Sequence, residues 1–162
     1  MFTNQALLFM FEHNNKAIQA QTAGLSDKQC LLQLPFRGNC MNWIVGHLVT
    51  NRYNVLKLLG SELPSGAERL KRYARESDPI QPDSAGLLPL VDLIELLAQA
   101  QIQIAALLAE ITPDVLDRQV AFFGQRSQSV AEWLFFFYFH DTYHTGQPEI
   151  LRQAAGKDDK VI

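Results

Sequence analysis

The chain has 162 residues, 48% of them hydrophobic and 19% charged, which fits a folded domain with a substantial core and excludes a disordered tail. Its formal net charge of -3 at pH 7, without a basic stripe, argues against nucleic acid as a partner. One domain over residues 1–162 is expected.

No Lys or Arg precedes Lys16, and Asn4, Gln5, Glu12 and His13 interrupt the apolar residues around them, so the start does not read as a signal peptide. The longest uninterrupted apolar run, residues 133–139, is too short to cross a bilayer, so no membrane is expected. Cys30 and Cys40 make neither a disulfide framework nor a zinc spacing; they read as buried or incidental thiols in a reducing cytoplasm. A second reading places Cys40 near the site described below.

Residues 2–22, with Leu7, Leu8, Phe11 and Ile18, form a first helix that stops near Gly24. Ser26 and Gln29 make a capping box for a short helical turn through Leu32, and Pro35 and Gly38 interrupt it. Asn39 or Asn42 caps the next long helix, which carries the apolar stripe Ile44, Leu48, Val55 and Leu59 and stops at Gly60. His47 flanks that stripe, beside Ile44 and Asn51 at helical spacing. Residues 61–84 contain Pro64, Gly66, Pro79 and Pro82 and little periodicity. They read as a crossover, and Arg69, Lys71, Arg72 and Arg75 within them as a solvated cluster rather than a wall that receives an anionic substrate. Ser84 caps a third long helix with Leu87, Val91, Ile94, Ala98, Gln101, Ala105 and Leu108 on its buried face. Thr112 and Pro113 start a short helix, and residues 120–124 suggest a small hairpin.

The last helix opens on a second capping box, Ser129 with Glu132, and closes with Arg152 and Gly156. Trp133, Phe137, His140, His144, Gln147 and Leu151 recur at steps of four and three and share one face. Pro148 cannot donate to the carbonyl of His144, so a kink follows the histidines, helped by Gly146. Four long amphipathic helices with one long connection indicate an all-α, four-helix bundle. The connection between the second and third long helices lets them run parallel, giving up-down-down-up.

His140 and His144 stand one turn apart among aromatic residues, where unpaired imidazoles are costly to desolvate. An H-x-x-x-H pair alone is a weak signal, and packed core histidines are the commoner explanation. A third imidazole, His47, on another helix raises the odds, because neighbouring bundle helices pack about 8–10 Å apart and can share an ion. Three neutral imidazoles leave an open coordination position, as in catalytic centres. Zinc or nickel comes first for such a set, and iron, cobalt, copper or manganese are compatible with it. Asn51, Asp141 and Gln147 are the candidates to orient the ligands. The zincin motif H-E-x-x-H is set aside because Asp141 replaces its Glu, and no pair of Glu-x-x-His motifs suggests a di-iron bundle.

Asn42-Trp43-Ile44-Val45-Gly46-His47-Leu48, followed far downstream by His140-Asp141-Thr142-Tyr143-His144-Thr145-Gly146-Gln147 and Leu151-Arg152, resembles the DinB/YfiT-like superfamily over essentially the whole chain. The resemblance implies a four-helix bundle with a divalent metal on His47, His140 and His144, often as a homodimer. Relatives of this kind include thiol-dependent S-transferases and an isomerase, so it also implies a small-molecule substrate such as a low-molecular-weight thiol. The expectation is a metal-dependent enzyme of the thiol S-transferase or hydrolase type, whose catalytic residues and general base the residues do not identify. The alternatives are a non-catalytic metal-binding or stress-response accessory protein and, more weakly, a metal-free bundle. Phe135, Tyr138 and Phe139 lie away from the histidine face and suggest a dimer contact.

Overall fold

A computed structural model describes residues 3–64, 66–122, 124 and 127–161, and these are mostly helical. Four long helices carry the fold: α1 (Asn4–Thr22), α3 (Met41–Leu58), α4 (Leu90–Ala109) and α6 (Val130–Thr145). Short helices α2 (Asp27–Cys30), α5 (Pro113–Asp117) and α7 (Pro148–Ala154) punctuate the connections. Strands β1 (Gln119–Ala121) and β2 (Ser127–Ser129) pair antiparallel with Val120 opposite Gln128, so the expected hairpin exists. Phe123 within it, and Phe2 at the expected start of the first helix, lie outside the described residues.

The helix starts follow from side-chain oxygens that satisfy orphan backbone donors. Thr3 Oγ1 accepts the Ala6 N–H at 3.1 Å, and both capping boxes form, Ser26 with Gln29 and Ser129 with Glu132. Pro113 opens α5 as expected. At α3 the expectation fails. Cys40 occupies the cap position without a side-chain bond, and Asn42 reaches the crossover instead, donating to the Leu88 carbonyl at 2.9 Å.

The third long helix also starts later than expected, after Pro89. Ser84 accepts the Gln81 N–H within a turn and caps no helix. The buried face of α4 is Leu90, Leu93, Leu97, Ala100, Gln101, Ile104 and Leu108; Val91, expected inside, is 70% exposed. Asp92, Glu95, Gln99 and Gln103 form a polar stripe at helical spacing with Val91 on its flank, so the expected face is out of phase with that stripe. By length and composition α4 is able to cross a bilayer, which the longest uninterrupted apolar run does not reveal. Here it packs against α1 and α3.

α6 in turn packs on α3 and α1, closing the core around Phe11, Leu48, Leu97, Ile104, Trp133 and Phe137. Burying each such side chain contributes about 1.5–3 kcal/mol. Trp133 also donates from Nε1 to the Val120 carbonyl at 2.9 Å, which ties the hairpin to α6.

The kink at Pro148 is present. Proline has no N–H for the His144 carbonyl, so the Gln147 N–H takes that carbonyl at 3.2 Å in a tighter turn. α6 ends at Thr145, and α7 resumes with Pro148 at a position that tolerates it.

Residues 61–88 cross from α3 to α4 and contain a 3₁₀ helix, Ala67–Tyr73. Tyr73 lies flat on α3 because residue 46 is glycine; a Cβ there would stand 2.2 Å from its ring. Its hydroxyl donates to Asn42 Oδ1 at 3.2 Å and accepts the Leu88 N–H at 2.8 Å. The basic cluster is therefore not uniformly solvated: Arg72 folds back onto the Asp78 and Pro79 carbonyls at 2.6 and 3.1 Å, whereas Arg75 is exposed.

Candidate metal centre

The α3 and α6 stripes bring His47, His140 and His144 together, with one potential ligand atom from each within 4.8 Å of the others. His47 Nε2 and His140 Nε2 are 3.2 Å apart. Two nitrogens of a tetrahedral zinc site with bonds near 2.0–2.1 Å stand roughly 3.3 Å apart, so this pair already has ligand spacing. His13, the fourth histidine, is exposed and stacks on Phe9 elsewhere.

Each ring is held differently. His47 Nδ1 lies 2.8 Å from the Tyr73 carbonyl, which can only accept, so Nδ1 carries the proton and Nε2 keeps its lone pair. Trp43 stacks on the same ring, with centroids 4.5 Å apart, and is itself fixed by donating to Ser77 Oγ at 2.9 Å. His144 Nδ1 donates to Gln147 Oε1 at 2.9 Å, which frees its Nε2 in the same way. His140 Nδ1 is buried with no hydrogen-bond partner among the described residues.

Burial is the main reason all three imidazoles resist protonation. The His140 pKa falls to about 4, through desolvation first and then the neighbouring His144, His47 and Arg75. His47 is lowered by desolvation and by His144, against the Tyr73 carbonyl. His144 is lowered by desolvation, against Gln147 and Asp141. At neutral pH the cluster is three uncharged donors with two tautomers already set, and this donor set fits a borderline divalent ion. The orphaned Nδ1 of His140 is not the nitrogen that meets His47, so the fit rests on the donor set and the spacing of the Nε2 pair.

Of the three expected orienting residues, only Gln147 touches a histidine. Asn51 and Asp141 instead bond each other, and Asp141 forms an ion pair with Arg52 of α3 at 2.5 Å. The partner of His47 is a backbone carbonyl, which no residue type announces; Gly46, small enough to admit Tyr73, was the available sign. Cys40 is buried at the start of α3 and is not one of the clustered donors.

Residues 10–147 of the chain match the DinB superfamily. A conserved protein from Enterococcus faecalis, known from its crystal structure, superposes with a TM-score of 0.73 over 97% of this chain and 99% of its own, at 14% identity. That likeness is one of fold. No curated protein matches this chain significantly.

Proposed function

The chain belongs to the DinB superfamily, and from that premise we propose that it binds a divalent metal on His47, His140 and His144 and acts on a low-molecular-weight thiol or on water. The observation that carries the reading is the convergence of three neutral imidazoles from two helices, two of them with Nδ1–H already committed to an acceptor. A divalent ion supplies Lewis acidity, lowering the pKa of a thiol or water in its open position. Tyr73 and Gln147 hold the rings in the tautomer that points Nε2 inward, and Trp43 covers the His47 side against water. His140 is the half-buried member, so a substrate approaches from its side. Zinc and nickel are the first metals to test; iron, cobalt, copper and manganese are compatible with the donors, and the order of affinities does not choose among them.

Three finer features belong to the same reading. Asn42 at the start of α3 bonds the Leu88 carbonyl just before α4, so these helices begin at the same end, which supports an up-down-down-up bundle. Free buried thiols at Cys30 and Cys40 suit a reducing cytoplasm. Phe135 and Phe139, 45% and 61% exposed on α6, are read as part of a homodimer face, whereas Tyr138, expected with them, packs on Phe11; a monomeric mass at micromolar concentration would remove that point.

The test is metal content by elemental analysis of untagged protein, wild type beside His144→Ala. Near-stoichiometric metal that disappears in the variant supports the centre and leads to assays with a thiol and an electrophile. Metal without turnover of any thiol or hydrolytic substrate leaves a non-catalytic metal-binding protein. No metal in either, after reconstitution with zinc or nickel, ends the proposal.

A further inference from the structure

We infer that Asp141, held by Asn51 and Arg52, is a positioning residue for the histidine centre: it sets the axial register of α6 against α3, and with it the place where His47 meets His140 and His144. The ligand in this inference rests on the metal-binding reading above; the register itself rests on protein contacts alone.

Asp141 follows His140 directly on α6 and is fully buried. Asn51 follows His47 by one turn on α3, so the two helices that supply the ligands also supply this contact. The Asn51 amide donates to the Phe137 carbonyl at 3.2 Å and to Asp141 Oδ1. It thus grips α6 by backbone and side chain in the turn that carries His140. The second carboxylate oxygen meets Arg52 Nε at 2.5 Å. The same guanidinium donates to Gln101 on α4 at 2.6 Å and to the Phe11 carbonyl of α1 at 3.0 Å. One buried residue of α3 therefore references α6 to the other two long helices.

The chemistry explains why a charge is used there. Two charges removed from water contribute little or nothing to stability compared with an apolar pair of equal size. What they add is direction, because hydrogen bonds fail over a few tenths of an ångström while apolar contacts allow sliding. An α-helix advances about 1.5 Å per residue, so a slip of one residue between α3 and α6 would spoil a nitrogen pair now 3.2 Å apart.

The experiment pairs two variants. Arg52→Met with Asp141→Val removes both charges with a small change in volume; Gln101→Leu removes only the α4 partner of Arg52 and leaves its contacts to α6. Zinc dissociation constants come from competition with a chromophoric chelator, and contacts between imidazole ring protons in the metal-free proteins come from NMR cross-relaxation. The double variant should unfold cooperatively, bind zinc about 10–100-fold more weakly and lose the His47–His140 cross-peak, while Gln101→Leu keeps the cross-peak and binds within about threefold of wild type. Asn51→Ala, which spares the ion pair, should weaken zinc in the same direction and carries the test if the double variant does not fold. Unchanged zinc affinity and cross-peaks in the double variant, or equal losses in Gln101→Leu, overturn the inference. If wild type binds no zinc, the metal reading falls, and the cross-peaks alone decide the register.

Discussion

Two polar clusters are buried one residue apart on α6, and they are finished in opposite ways. Around Asp141 the polar atoms face partners of opposite kind: Asn51 bonds the carboxylate, Arg52 forms an ion pair with it, and Gln101 and the Phe11 carbonyl each take a guanidinium donor. Around His140 three like groups face one another, every pKa is pushed down, and the Nε2 atoms of His47 and His140 meet at 3.2 Å with no opposite charge between them. A cluster completed by protein is built to stay as it is. One completed only on its outer side, by the Tyr73 carbonyl and Gln147, is built to take something in the middle. The difference teaches that burial of polar groups alone does not mark a functional centre; the mark is complementarity withheld.

The sharpest way to break that distinction is to damage the completed cluster. Asp141→Leu alone strands the Arg52 charge in the core and should cost about 3–5 kcal/mol in urea unfolding. A loss under about 1 kcal/mol would mean that water reaches Arg52 and that the cluster is not sealed. Gly46→Ala should come next, at about 1–3 kcal/mol, because its methyl must displace a tyrosine ring that Asn42 and Leu88 hold from the other end. It should also weaken metal binding, since the Tyr73 carbonyl moves with the ring. Full zinc affinity in that variant would show that the carbonyl does not orient His47.

The open cluster should respond in the reverse sense. His140→Leu removes a poorly satisfied imidazole, so the metal-free protein should be as stable as wild type within about 1 kcal/mol, or more stable, while the rise in melting temperature on adding zinc disappears. The pH dependence has a definite sign. Unfolded histidines take up protons near pH 6.5, whereas folded His140 stays neutral down to about 4. The unfolded state therefore binds more protons in that window, and stability falls as pH drops from 6.5 toward 4. Above 6.5 these groups contribute no slope. Melting curves of the metal-free proteins should show a shallower acid decline for His140→Leu; identical declines would place the titration elsewhere.

The sequence carried the histidine centre more legibly than the contacts that hold it. Period and caps located His140 and His144 on one face, and the proline rule located the break behind them, because each depends on residue type at fixed spacing. The phase of α4 was readable and misread: Asp92, Glu95, Gln99 and Gln103 recur at steps of three and four and mark its outer side, opposite the buried Leu90, Leu97 and Gln101. The Tyr73 carbonyl was hidden: every residue has one, and only folding of an aperiodic crossover decides which carbonyl reaches His47. Asp141 was seen and misassigned. One residue along a helix turns the side chain by about 100°, enough to swing it from the histidines to Arg52.

Gln147 gives the smallest and most discriminating prediction, because it is the one orienting residue that both spacing and structure place on a histidine. It sits where α6 breaks before Pro148, half-buried, with its amide oxygen on His144 Nδ1 at 2.9 Å. Gln147→Ala leaves the core and the ion pair untouched, so unfolding should shift by about 0.5–1.5 kcal/mol at most, the net worth of one hydrogen bond. Metal affinity should fall much further in proportion, about 10-fold or more, because His144 loses the contact that keeps its proton on Nδ1. Gln147→Glu retains an acceptor at the same place and should recover most of the affinity. Equal weakening in both variants would show that the break at Pro148, rather than the hydrogen bond, presents His144 to the centre.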